Sequence, residues 1–173
     1  MPRKVDITSL FCGLMIAGII LFTASCGSQR TFQTKSSPTG FRKYIIVEIP
    51  DFKMSSSSAP TDATWKIPNE IAERLKKEDI FTGVSRSPVS INDGVLVVDG
   101  TLDFTPAPWY ERIVATQRII AHVRFINKSD NSIIAEATFE GTSKGGIVSG
   151  GLYFAYMRLA DEIVDYIKLN YSS

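Results

Sequence analysis

The sequence predicts an α+β domain in which a mixed, mostly antiparallel sheet of about five strands carries two helices, packed mainly on one face. Three observations predict this fold: one nearly continuous apolar segment, three segments in which apolar and polar residues alternate, and two in which apolar residues recur every three or four positions. Alternation with one polar face is typical of antiparallel strands covered on one side. Recurrence near 3.6 residues is typical of amphipathic helices.

The first predicted strand is 43–52, KYIIVEIPDF, whose apolar residues are nearly continuous and mostly β-branched or aromatic. Such a strand is usually buried on both faces, so we expect it to be central in the sheet. A short strand over 80–86, IFTGVSR, follows the first helix. It is predicted to return beside the first strand, which gives a β-α-β unit.

Two helices are predicted from the 3.6-residue recurrence. The first covers 66–79, and Pro68 suits its first turn. Its apolar stripe consists of Ile67, Ile71 and Leu75. The second covers 152–169, where apolar residues follow the 3.6-residue period and charged residues such as Arg158 and Asp161 stay outside the stripe. This closing helix is expected to cover the sheet.

Three alternating strands are predicted between the helices, over 95–104, 112–127 and 133–140. The segment 127–132, NKSDNS, consists of turn-forming residues and is predicted to join the last two strands as a hairpin. Since each strand has one apolar and one polar side, the polar sides should together form an uncovered face of the sheet.

The amino-terminal segment has the three-part pattern of a bacterial export signal. Arg3 and Lys4 precede an apolar run, Leu10 to Phe22, and small residues follow it. The run is too short for a membrane span, which needs about 20 apolar residues. We therefore predict that 1–25 is a signal peptide, with an uncleaved anchor helix as the alternative.

The stretch ASC that ends at Cys26 resembles the bacterial lipobox, in which a small residue precedes a cysteine that is acylated and becomes the first residue of the mature protein. Thr23 stands where that motif most often has leucine. The resemblance implies lipidation of Cys26 and membrane attachment through that lipid. Gly27, in place of aspartate, favours the outer membrane by the enterobacterial sorting rule. Cys12 lies in the leader, so acylation would also account for the otherwise unpaired thiol.

The predicted domain organisation is a signal peptide over 1–25, an acylated cysteine and flexible tether over 26–42, and a single domain over 43–173. Cleavage before Cys26 would leave 17 basic and 17 acidic side chains of the chain's 19 and 18, because two basic residues and one acidic residue lie in the leader. A neutral chain lacks the electrostatic footprint of a nucleic-acid-binding protein. No nucleic-acid partner and no cofactor are expected.

The chain resembles a bacterial lipoprotein family known as domain of unknown function 4410. The resemblance rests on VEIPDF, EDIFTGV, LVVDGTLDF, the hairpin RIIAHVRFINKSDNSIIAEATFEG and the glycine-rich approach to the last helix. It departs from that family at TPAPWYER. More distantly the arrangement is similar to the curli secretion lipoprotein and to the amino-terminal domain of the Tol translocation protein, which implies a non-catalytic assembly module.

Three groups of residues resemble parts of catalytic or metal sites, and each favours a structural interpretation. The carboxylate pairs Asp99/Asp103 and Glu136/Glu140 are about 13 Å apart along their strands, beyond the separation used by glycosidases. His122 is the single histidine, too few for a usual zinc site, and no serine has the glycine frame of a nucleophile elbow. We expect no metal and no catalytic residue.

The glycines of 143–154, SKGGIVSGGLYF, lack the lysine and hydroxyl residue of a phosphate-binding loop. A tight crossing from strand to helix is the favoured interpretation. The stiff segment PAPWYER instead suggests a partner-binding loop formed by Trp109, Tyr110 and Arg112, because aromatic residues are enriched at interface hot spots. Burial of both rings against the sheet edge is the alternative.

The sequence therefore favours a lipid-anchored, periplasm-facing envelope protein that binds another envelope protein or itself. A binding protein or hydrolase acting on cell-wall glycan or a small ligand is the alternative, and it would need a deep pocket with convergent polar groups.

Overall fold

The computed structural model describes residues 33–34, 40–55, 60–105, 117–143 and 151–171. Within these ranges the chain forms seven strands and two helices, with a short 3-10 turn at Phe41–Lys43. The strands are β1 (Gln33–Thr34), β2 (Ile46–Glu48), β3 (Lys53–Met54), β4 (Gly83–Ser85), β5 (Val95–Thr105), β6 (Gln117–Asn127) and β7 (Ile133–Ser143). The helices are α1 (Ala63–Glu78) and α2 (Gly151–Tyr171).

All seven strands belong to one mixed sheet in the order β1-β7-β6-β5-β2-β4, with β3 paired to β5 beyond β2. The predicted α+β fold is confirmed, including the two helices and the mostly antiparallel pairing. Strands β5, β6 and β7 form a continuous antiparallel meander, and a register shift interrupts it between Phe125 and Ile126. Each of these three strands is eleven residues long, which makes them the body of the sheet.

The predicted β-α-β unit is present. Strand β2 pairs in parallel with β4 on one side and with β5 on the other, and α1 connects β2 to β4. Strand β2 is therefore interior, as its continuous apolar sequence predicts, but it is second from one edge rather than central.

Helix α1 begins at Ala63, three residues before the predicted start, so Pro68 lies inside the helix and not in its first turn. Proline has no N–H to donate to the carbonyl four residues earlier, which here belongs to Thr64. That carbonyl accepts a hydrogen bond from the backbone N–H of Phe52 at 2.9 Å. The interior proline is thus tolerated because a neighbouring segment satisfies the carbonyl group that it leaves free.

The core lies between one face of the sheet and the two helices. It contains the inward residues of β5, β6 and β7 together with the apolar stripes of α1 and α2. Tyr166 of α2 is at its aromatic centre, with ring centroids 5.2 Å from Phe125 and 5.5 Å from Phe139. Aromatic pairs at these separations contribute about 0.5–1.5 kcal/mol each beyond their burial.

The ordered domain begins earlier in the sequence than predicted. Phe41, assigned from sequence to the tether, is fully buried, with its ring centroid 5.0 Å from that of Phe125 and 6.2 Å from that of Tyr166. Gln33 and Thr34, also within the predicted tether, pair antiparallel with Thr138 and Ala137 of β7. The boundary at residue 43 is therefore wrong for Phe41, which is part of the core.

Among the helices of the described ranges, none combines the length and the apolar character that crossing a bilayer requires.

Candidate interaction surface

The polar sides of β5, β6 and β7 meet on the sheet face opposite the helices, as the alternating pattern predicts. We call this the open face, and its central residues are Asp99, Thr101, Asp103, Arg118, Ile120, His122, Arg124, Glu136, Thr138 and Glu140. The strand register places these residues in rows across the sheet. One row is Asp99, Arg124 and Glu136, and the next is Thr101, His122 and Thr138.

Charged side chains of the open face pair across strands. Arg118 donates to Glu140 at 2.5 Å, and Arg124 donates to Asp99. Lys53 adds a longer contact to Asp99, 3.8 Å between nitrogen and oxygen. Opposite charges therefore alternate across the open face, and such cross-strand pairs each stabilise a sheet by about 0.2–1 kcal/mol.

His122 joins two side chains of the open face. Its Nδ1 lies 3.0 Å from the Thr138 hydroxyl oxygen, and its Nε2 lies 3.0 Å from a carboxylate oxygen of Asp103. The Ser55 hydroxyl donates to the other oxygen of Asp103. The order hydroxyl, imidazole, carboxylate is that of a nucleophile, a base and an orienting acid. Sequence reasoning did not find it, because it depends on the register of three strands.

The surroundings of His122 are exposed to solvent, and the backbone beside its hydroxyl partner is paired. The side chains of His122 and Asp103 are 53% and 44% exposed, so water screens both. The backbone beside Thr138 is paired with β6 on one side and with β1 on the other. An oxyanion needs N–H donors that are free to point at it. The paired backbone beside Thr138 is thus not free to supply such N–H donors.

A second group of polar residues lies between the two helices. Asp62, Lys66, Glu70 and Arg74 recur every fourth residue on α1 and its amino-terminal flank, with ion pairs of 2.6 Å from Lys66 to Asp62 and from Arg74 to Glu70. Helix α2 contributes Asp161, which accepts from Arg74 at 2.7 Å. This seam couples the solvent sides of α1 and α2.

Two tyrosines of α2 also donate to the seam, Tyr153 to Glu70 at 3.1 Å and Tyr156 to Asp62 at 3.3 Å. The hydrogen bond from Lys66 lowers the pKa of Asp62. Burial, followed by the negative charge of Asp62, raises the pKa of Tyr156. Both shifts favour the protonation states present at neutral pH, so the seam is a structural contact between the helices.

A buried ion pair joins Glu48 of β2 to Lys128 in the turn between β6 and β7. Lys128 Nζ donates to Glu48 Oε2 at 2.6 Å and to the Val89 carbonyl at 2.7 Å, and the Val89 N–H donates to the same Glu48 oxygen at 3.1 Å. The side chains of Glu48 and Lys128 are only 9% and 18% exposed. This cluster fastens the 86–94 loop to β2 and to the β6–β7 turn. Sequence reasoning missed it because the two charges are far apart in the chain.

Three aromatic side chains of the described ranges are at least 46% exposed: Trp65, Tyr153 and Phe154. Each lies in the first turn of a helix, Trp65 in α1 and the other two in α2. Exposed aromatic residues are enriched at protein interfaces. The pattern of α2 could have identified Phe154, because it lies off the apolar stripe of that helix.

The residues singled out from sequence as functional lie outside the described ranges. They are Cys26, Trp109, Tyr110 and Arg112, together with most of the glycine-rich segment before α2. Their predicted roles stay predictions. Within the described ranges, no group of three or more histidine, cysteine, aspartate or glutamate residues is placed to hold a metal ion.

Comparison with known proteins gives matches at the level of the fold. No family model matches the chain, and no curated protein matches it. The resemblances to domain of unknown function 4410 and to the curli and Tol proteins are thus not shown and stay predictions.

Solved structures do match. A PelC dodecamer from Paraburkholderia phytofirmans, solved with one methionine substitution, has a TM-score of 0.57 at 18% identity, over 78% of this chain and 94% of that one. The hypothetical protein CT253 from Chlamydia trachomatis has a TM-score of 0.50 at 13% identity, over 74% and 98%. A minor lipoprotein from Acinetobacter baumannii matches less well. Its TM-score is 0.47 at 13% identity, over 73% of this chain and 94% of that one. The first two define the class of fold and not the function.

Proposed function

We propose that this chain is an envelope lipoprotein, exported and acylated at Cys26, whose α+β domain is a non-catalytic assembly module. The observation that carries the proposal is the leader itself: a basic start, an apolar run, small residues and then Cys26. Attachment to the outer membrane, facing the periplasm, is the placement that Gly27 favours.

The assembly role is supported by the fold and by the exposed side chains. PelC, which shares the fold, was solved as a dodecamer. In this chain Tyr153 and Phe154 expose aromatic surface at the start of α2. Since the mature chain would carry equal numbers of acidic and basic groups, copies would approach each other without net repulsion. We infer a second copy of the chain, or another envelope protein, as the partner.

The anchor is tested on protein purified from the membrane of a bacterial host. We expect the intact mass of a chain beginning at Cys26 with acyl chains added, and loss from the membrane fraction when Cys26 is changed to alanine. An unmodified Cys26 with the leader retained would contradict the proposal.

The assembly role is tested by light scattering on the acyl-free mature domain and by crosslinking mass spectrometry in intact cells. We expect an oligomer or a recurrent envelope partner, weakened by Tyr153→Ala with Phe154→Ala. Ile91→Ala, an exposed apolar residue away from the helix starts, is the matched control. The pair Trp109→Ala and Tyr110→Ala tests the predicted loop separately. A monomer without crosslinked partners would exclude the assembly role.

A hydrolase is the second candidate, and the specific observation in its favour is the order Thr138, His122, Asp103. Incubation of the domain with activated esters tests it. Turnover that disappears in both His122→Ala and Thr138→Val would support a hydrolase. Turnover equal to that of free imidazole would exclude this site.

A further inference from the structure

The guanidinium of Arg74, in the seam between α1 and α2, is held by a carboxylate on each helix. Its Nη1 donates to Glu70 Oε2 at 2.6 Å, and its Nε donates to Asp161 Oδ1 at 2.7 Å. Its Nη2 lies 3.4 Å from the thioether sulfur of Met157. Only 17% of the Arg74 side chain is exposed. Because the two carboxylates fix the guanidinium, its position does not depend on the contact with sulfur.

The contact between Arg74 Nη2 and Met157 is chemically poor. Oxygen atoms accept from the other two nitrogens, since Nη1 also donates to the Glu70 carbonyl at 3.2 Å. Among the described residues, Nη2 meets only the sulfur of Met157, and a thioether is a weak acceptor. An oxygen acceptor there would receive a charge-assisted hydrogen bond, about twice as strong as a neutral one. The surroundings of this sulfur therefore suit its oxidised form.

We propose that Met157 is a modification site, oxidised by peroxide to the sulfoxide, and that Arg74 Nη2 binds the sulfoxide oxygen. In this step one peroxide oxygen is transferred to sulfur. The O–O bond breaks, an S–O bond forms, sulfur loses two electrons to the peroxide, and the second oxygen leaves as water. Methionine sulfoxide is reduced again by dedicated reductases, so the modification is reversible.

The position of Met157 also separates it from the other methionine of the described ranges, Met54. In those ranges Met54 packs against the hydrophobic core, and Met157 does not. A sulfoxide at Met54 would place a polar oxygen against apolar side chains, which is costly without a hydrogen-bond partner. A sulfoxide at Met157 would meet a cation instead. Oxidation of Met157 should therefore leave α1 and α2 joined and the domain folded.

The first test treats the folded chain 26–173, carrying Cys26→Ser so that no thiol competes, with hydrogen peroxide. Peptide mass should show one added oxygen on Met157. The second test compares Met54→Leu, which retains Met157, with its matched control Met157→Leu, which retains Met54. Each is oxidised in urea, refolded, and compared with its reduced form by urea denaturation. We expect an unchanged midpoint for oxidised Met157 and a lower one for oxidised Met54. A Met157 that resists peroxide in the folded chain, or equal losses in the two variants, would overturn the proposal.

A third test removes the donor by combining Arg74→Leu with Met54→Leu. The ion pairs of Arg74 with Glu70 and Asp161 are then lost in both oxidation states, so the effect of oxidation within this variant isolates the missing contact to the sulfoxide oxygen. We expect oxidation of Met157 to lower the midpoint here, although it leaves the midpoint unchanged when Arg74 is present. Equal shifts with and without Arg74 would overturn the binding of the oxygen by Arg74.

This inference goes beyond the assembly role and does not depend on the anchor. All three tests use a chain that cannot be acylated, so an unmodified Cys26 in cells would overturn the anchor and leave the oxidation of Met157 standing. Conversely, a Met157 that resists peroxide would leave the lipid anchor and the assembly role untouched.

Discussion

The backbone N–H of Phe52 donates to the carbonyl of Thr64 at 2.9 Å, the same carbonyl that Pro68 leaves without its helical partner. The loop after β2 and helix α1 are therefore joined by a main-chain hydrogen bond at the position where the helix ladder is interrupted. This contact allows α1 to begin at Ala63 rather than at the proline.

Replacing Pro68 with alanine should stabilise the domain modestly. An interior proline costs a helix about 3 kcal/mol relative to alanine. Loss of buried ring packing and of proline's restriction of the unfolded chain should offset about 2 kcal/mol of this. We expect Pro68→Ala to raise the free energy of unfolding by about 1 kcal/mol in urea denaturation. A clear loss of stability would show that the proline ring is required by the core.

Gly141 of β7 lies against the first turns of α2. A Cβ built at Gly141 would overlap the carbonyl oxygen of Ala155 and lie 2.9 Å from Leu159 Cβ. Both obstacles belong to the helix and cannot rotate away. Gly141→Ala should therefore destabilise the domain by about 1–3 kcal/mol. Gly83→Ala is the matched control, since its Cβ would meet only a flexible isoleucine side chain at 3.4 Å. Similar unfolding midpoints for the two variants would contradict this account.

The buried pair Glu48 and Lys128 should be sensitive to removal of either partner. Lys128→Met removes one of the two described partners of the Glu48 carboxylate and leaves the Val89 N–H as the other. The Glu48 side chain is only 9% exposed, so its charge would stay buried. We expect a loss of about 3 kcal/mol. The double variant Glu48→Leu with Lys128→Met should recover part of it, because no charge then stays buried. Arg118→Met, which breaks a pair whose arginine is 53% exposed, should cost less than about 1 kcal/mol.

Protonation of Asp62 should lower the stability of the domain at acidic pH. The hydrogen bond from Lys66 lowers the pKa of Asp62 in the folded state below its ordinary value of 3.8. The resulting stability is present above the unfolded pKa and is lost as pH falls through the folded pKa. Because the side chain is partly exposed, the effect should stay below about 1 kcal/mol. Asp62→Asn should flatten the stability profile below about pH 4. An unchanged slope in thermal unfolding would contradict this.

The long elements of the fold are predictable because their signals are local. Alternation along β5, β6 and β7 identifies which side chains face the core, and the predicted polar side is where His122, Arg118 and Arg124 lie. The two-residue strands β1 and β3 carry no period of their own. They exist because longer strands offer them an edge, and no sequence window contains that information.

The site-level contacts depend on register, which periodicity does not determine. Alternation shows that His122 faces outward, but only the pairing of three strands places it between Asp103 and Thr138. The same limit applies to Glu48 and Lys128, which are 80 residues apart. The predicted start of α1 was wrong for a similar reason. The N–H that compensates for Pro68 belongs to Phe52, which lies outside the helix.

The burial of Phe41 decides where a shortened version of the domain can begin. Its ring fills space beside Phe125 and Tyr166, and deleting a large buried aromatic residue typically costs about 3–5 kcal/mol. Truncation at the predicted boundary, residue 43, would remove Phe41 from the core. A recombinant fragment should therefore start upstream of Gly40, so that Phe41 keeps its place in the core.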